Sequence, residues 1–144
     1  MLGSKWAKRE LTYRVTEYPA DGDLTNREVD EEIWKGFNLW EAAANLTFIR
    51  AVGGKVDIEI RFATGYHGDN YPFDGPGGTL AHASYPADGG DIHFDDSEVW
   101  TINTSRVCLR LLQLGFLFFF EPSGNQSAVG GHTRDWSQPG SESQ

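Results

Sequence analysis

Val56-Asp57-Ile58-Glu59-Ile60-Arg61-Phe62 alternates apolar and charged side chains without a break. A period of two is the signature of a strand with one buried face. The Gly53-Gly54 pair ahead of it marks a turn. Before that turn, Leu46-Thr47-Phe48-Ile49-Arg50 reads as a second strand. Further back the period changes: Val29, Ile33, Phe37 and Trp40 recur at helical spacing and make one apolar stripe. Thr25 and Glu28 stand three apart, as a capping box requires, and Asn45 supplies a stop. Nearest the start, Leu11-Thr12-Tyr13-Arg14-Val15-Thr16 is another alternating strand, followed by a turn over Pro19-Ala20-Asp21-Gly22-Asp23. Strand, helix, strand, strand implies an α+β or mixed α/β sheet with a helix packed on one side.

Downstream of Phe62 the pattern loosens. Residues 64–100 collect glycines, aspartates and three of the four histidines, broken by strand-like runs over 79–85 and 91–94. A loop region this long inside a compact domain needs something besides a hydrophobic core to order it, and bound metal would do so. Residues 107–120 are almost uninterruptedly apolar with a poor helical period, and from Glu121 the chain is rich in Gly, Ser, Gln and Pro and reads as disordered.

The chain of 144 residues suits one domain with a real core. Its net charge is −9, with Lys and Arg scattered, which argues against nucleic acid as a partner because phosphate backbones are bound by basic patches. The acidic residues instead gather mid-chain, where a hard cation could neutralise them. Cys108 is the single cysteine and has no internal partner. No apolar signal region follows Met1, and the 107–120 run falls short of the roughly 20 residues that span a bilayer, so no membrane association is expected.

His67, Asp69, His82 and His93 offer three imidazoles and a carboxylate, the ligand set of a tetrahedral zinc site. Solvated loop histidines are the alternative at this point. Asp74-Gly75-Pro76-Gly77-Gly78-Thr79 is a tight glycine turn after an aspartate, and Asp95 and Glu98 follow the last of these histidines. Exposed carbonyls beside carboxylates suit calcium; a charged surface turn is the alternative.

The string His67-Gly68-Asp69-Asn70-Tyr71-Pro72-Phe73-Asp74-Gly75-Pro76-Gly77-Gly78-Thr79-Leu80-Ala81-His82-Ala83 closely resembles the matrix metalloproteinases, the matrixin family of peptidases. So does Gly90-Asp91-Ile92-His93-Phe94-Asp95-Asp96-Ser97-Glu98-Val99-Trp100, while Lys5-Trp6 with Leu11-Thr12-Tyr13-Arg14-Val15 resembles the start of their catalytic domain. The resemblance covers residues 5–103 as a truncated metallopeptidase domain and leaves 104–144 outside it. It implies a zincin-like half-domain, a twisted, mostly parallel five-stranded sheet with one packed helix. It implies a structural zinc at His67, Asp69, His82 and His93 and a calcium at Asp74, Gly75, Gly77, Thr79, Asp95 and Glu98. It also implies a second calcium at Asp57, Gly89 and Asp91, although the loop between Ala83 and Asp91 is shorter than usual. The strand over 79–83, with Leu80 and Ala81, would pair with an extended peptide or matrix protein, and the parent family works in the extracellular matrix.

Matrixin chemistry requires a second zinc on an HExxHxxGxxH helix, where a glutamate acts as base toward the metal-bound water. No such string occurs in this sequence; His132 has no glutamate beside it, and Met1 is the sole methionine. The reading is therefore a metalloendopeptidase fragment without catalytic residues, with a peptide-binding module as the alternative. The change of character after Arg106 leaves open a read-through splice junction or a genuine new C-terminus. Asn45-Leu46-Thr47, Asn103-Thr104-Ser105 and Asn125-Gln126-Ser127 are glycosylation sequons.

Overall fold

The structure is a computed structural model that describes residues 5–20, 24–102 and 133–137, the last as backbone alone. Strand β1 (Glu10–Glu17) leads to helix α1 (Asn26–Ala44), then β2 (Thr47–Arg50), β3 (Ile58–Ala63), β4 (Thr79–Ser84), a single 3-10 turn at Pro86–Asp88, β5 (Ile92–Asp95) and β6 (Thr133–Ser137). The sheet order is β2-β1-β3-β5-β4-β6. β1 runs parallel to β2 and β3, β3 runs parallel to β5, and β4 lies antiparallel to β5 and β6.

The helix begins where the sequence says it should. The Thr25 hydroxyl accepts the Glu28 backbone N–H at 3.2 Å, and the Glu28 carboxylate accepts the Thr25 N–H at 2.8 Å. It ends at Asn45, which takes the left-handed conformation at φ 52° that asparagine tolerates better than most residues. Val29, Ile33, Phe37 and Trp40 are all buried. Phe37 lies 4.4 Å from the Tyr13 ring on β1 and 4.3 Å from Phe48 on β2, so one helical side chain joins both strands. Ile58, Ile60 and Phe62 of β3 are buried, while the charged residues between them are partly exposed, the alternation read from the sequence. A second aromatic group, Phe62, Phe94 and Trp100, closes the core at the other end of β3.

The first five strands make the mostly parallel sheet expected. A sixth joins them: Thr133–Ser137, within the stretch expected to be disordered, pairs with the outer edge of β4 from Thr79↔Ser137 to Ser84↔Thr133. An open edge presents unpaired N–H and C=O groups, and an extended segment satisfies them whatever its flanking composition. The remainder of the expected tail and the apolar run over 107–120 lie outside the described residues. Among the described residues, no helix is long and apolar enough to cross a membrane.

Candidate metal centre

Strand register places the first two candidate ligands. Ala81 pairs with Phe94, His82 with His93, and Ala83 with Ile92. Directly paired residues project from one face of a sheet, and successive residues alternate faces. Ala81, Ala83, Ile92 and Phe94 belong to the buried apolar core. His82 and His93 consequently project together from the opposite face, where the long loop after β3 covers them.

That loop supplies the other two candidate ligands. The Gly65 carbonyl accepts both the Phe73 N–H at 2.9 Å and the His67 Nδ1–H at 2.8 Å. A carbonyl can only accept, so the His67 proton sits on Nδ1 and Nε2 carries a free lone pair. Gly68 turns the chain at φ +106°, a conformation that penalises any side chain. Asp69 follows, its Oδ1 accepting the Tyr71 N–H at 2.9 Å and its Oδ2 left to face the histidines. Phe73 stacks on His67 at 4.6 Å and on His82 at 4.8 Å, which shields the cluster from water.

Four atoms converge there: His67 Nε2, His82 Nε2, His93 Nδ1 and Asp69 Oδ2. Their six separations lie between 2.8 and 3.2 Å. A tetrahedron with edges of about 3 Å has its centre about 1.8 Å from each corner, so slight widening gives the ~2.0–2.1 Å bonds of zinc to nitrogen and oxygen. Three imidazole lone pairs and a carboxylate oxygen held this close repel one another unless a cation lies among them. The donor set fits zinc, and because the protein supplies all four positions, none is left for a reacting water. Burial, reinforced by the neighbouring His82, drives the His93 pKa down to about 4, against the pull of Asp69. Burial pushes Asp69 up, but the Tyr71 N–H and the His82 and His67 imidazoles outweigh it and hold the carboxyl below its usual range. Both shifts keep the ligands in their metal-binding protonation states.

The calcium candidates come together as well. Asp74 accepts the Thr79 N–H through Oδ1 at 3.2 Å and Oδ2 at 3.3 Å. Gly77 donates to Glu98 Oε1 at 2.6 Å. A Cβ on Gly78 would collide with Asp74 Oδ2, so only glycine lets the turn wrap the carboxylate, and Gly75 and Gly77 adopt φ +82° and +86°. Asp95 is fully buried; its Oδ1 accepts from Ser97, and its Oδ2 has no hydrogen-bond partner among the described residues. A buried carboxylate oxygen without a partner is costly unless a cation satisfies it, and this orphaned atom is the local evidence that the group fits calcium. The Asp95 carbonyl accepts the Trp100 indole N–H at 2.8 Å, which ties the acidic segment to the core.

The second calcium candidates are arranged differently. The Asp57 carboxylate is engaged by Lys8 at 2.7 Å and by the Thr12 N–H at 2.8 Å. Asp91 Oδ1 accepts the Glu59 N–H at 3.0 Å, and Gly89 packs beside Asp91 Oδ2. The Asp57 main-chain carbonyl faces Gly90. Sequence reasoning gave no role to Gly65, Phe73, Ser97 or Trp100, which orient or shield the ligands. Phe73 lay inside the quoted string, whereas nothing local marked Gly65. Leu80 and Ala81 are buried on β4, so their backbone rather than their side chains meets a neighbouring strand.

The Matrixin family model matches residues 5–132. The chain is a matrixin. It is 47% identical over 103 residues to human matrix metalloproteinase-20, covering 70% of this chain and 21% of that one. It is 50% identical over 102 residues to bovine interstitial collagenase, covering 69% and 21%. Horse stromelysin-1 is 48% identical over 130 residues, covering 87% and 27%. This matrixin thus spans between a fifth and about a quarter of the length of these relatives. The family match runs past Asn103, where the resemblance read from the sequence ended, and residues 104–132 nonetheless contain no HExxH string.

Proposed function

We propose that this chain is part of a zinc- and calcium-dependent metalloendopeptidase of the extracellular matrix. In this reading His67, Asp69, His82 and His93 hold a structural zinc and the Asp74–Glu98 loops hold calcium. The polypeptide itself does not hydrolyse peptides. The observation that carries the reading is the four-atom convergence at 2.8–3.2 Å, which commits three of the four histidines to a closed site. One histidine, His132, remains, and a catalytic zinc of the matrixin kind needs three with a glutamate base. Zinc in the closed site would supply folding free energy and cross-link the loop to β4 and β5. Plasma mass spectrometry on dialysed protein should find about one zinc per chain together with calcium, and a quenched fluorogenic peptide should remain uncut. Two zinc ions per chain with hydroxamate-blocked cleavage would overturn the reading.

A second reading, peptide binding without catalysis, draws support from β6. That segment lies antiparallel along β4 by backbone pairing, so the edge is competent for strand addition. An extended peptide titrated against the protein should compete for the same edge and give a saturable signal. Its absence at millimolar peptide would remove this reading.

A further inference from the structure

The sheet has a second edge, on the side away from the candidate zinc ligands, and it is chemically distinctive. Among the described residues β2 is the outermost strand there and pairs with β1 alone. Thr47, Ile49 and Arg50 are exposed along it, and Val52 just beyond is fully exposed. A short edge with apolar side chains in solvent invites pairing with another chain unless something covers it. Immediately before β2 stands Asn45-Leu46-Thr47, an Asn-x-Thr triplet whose middle residue is not proline.

We propose that Asn45 is an N-glycosylation acceptor and that its glycan shields the β2 edge. Asn45 is exposed at the helix C-cap, flanked on the helix side by the small, exposed Ala42 and Ala43. The Thr47 N–H is tied to the Arg9 carbonyl at 2.8 Å, while its side chain is exposed. Both recognition groups of the triplet therefore face water on one short connection. In the transfer, the Asn45 Nδ2 would attack the anomeric carbon of a polyprenyl-diphosphate-linked oligosaccharide. The N–C bond forms, the C–O bond to phosphate breaks, the lipid diphosphate leaves, and one amide proton is lost. β5 and β4, which carry His93 and His82, stand three and four strand positions from β2, roughly 14 and 19 Å at usual spacing, so Asn45 and the candidate zinc ligands lie toward opposite edges of the sheet. The other two triplets lie outside the described residues.

The proposal rests on the extracellular reading above, since the transfer occurs on the secretory route. The test separates the two by delivering the full chain, with a leader added, into microsomes. Wild-type protein that is protected from protease should migrate with a shift that a peptide N-glycosidase removes. Asn45→Gln and Thr47→Ala should each lose one glycan step. Thr47→Ala leaves the left-handed Asn45 cap in place, so the two losses together do not reflect a damaged helix end. Thr47→Ser should keep the step. Zinc content should be equal in all four proteins, which reports on the metal reading independently. An unchanged number of steps in Asn45→Gln or Thr47→Ala overturns the proposal.

Discussion

The two faces of the sheet are held by different forces. On one, α1 buries Val29, Ile33, Phe37 and Trp40 against β1, β2 and β3, and the stabilisation is the removal of apolar surface from water. On the other, residues 64–78 bury little apolar surface beyond Phe73 and gather His67 and Asp69 against His82 and His93, donors that repel one another without a cation. The first face tolerates a shift of shape at some cost in packing; on the proposed metal reading, the second depends on a cation to offset the repulsion among its donors.

The sharpest way to break this contrast is to remove one ligand. His82→Ala should abolish stoichiometric zinc binding, since structural zinc contributes on the order of 10 kcal/mol in small sites. Hydrogen exchange should then lose protection across 65–84 while retaining it in α1 and β3; retention in both regions would make the metal dispensable. Phe37→Ala attacks the other face and should cost about 3–5 kcal/mol in denaturant unfolding, the usual range for a buried aromatic. At saturating zinc its folded fraction should still bind one ion. Asp95→Asn should weaken calcium by about tenfold or more, or ~1.4 kcal/mol, through loss of a charged ligand, with zinc content unchanged. Calorimetric titration with calcium measures it, and an unaltered affinity would place the ion elsewhere. The smallest effect belongs to Thr25→Ala, which removes the helix cap and should lower stability by about 1 kcal/mol without touching either metal.

The same contrast decides what the sequence made legible. The helix stripe, its capping box, its Asn45 stop and the alternation in β3 were readable because each is a local period or a local hydrogen bond. That His67, Asp69, His82 and His93 converge was readable too, since few residue types bind zinc and their motif is specific. What was not readable depends on distance along the chain. The engagement of Asp57 by Lys8 and Thr12 joins residues remote in sequence. The Gly65 carbonyl that sets the His67 tautomer carries no side-chain signal at all. β6 was hidden for a related reason: edge pairing uses backbone groups that every residue but proline possesses, so composition does not announce it.

The pairing of His82 with His93 has a consequence for how the chain finds its shape. A slip of one residue between β4 and β5 would exchange the faces of every side chain on the slipped strand. It would turn one imidazole into the hydrocarbon core and bring an alanine out beneath the loop. The four-atom cluster cannot assemble in that arrangement. On the proposed zinc reading, capture of the ion and correct strand alignment would be one event, with the ion a proofreader that accepts a single register and leaves the others unrewarded.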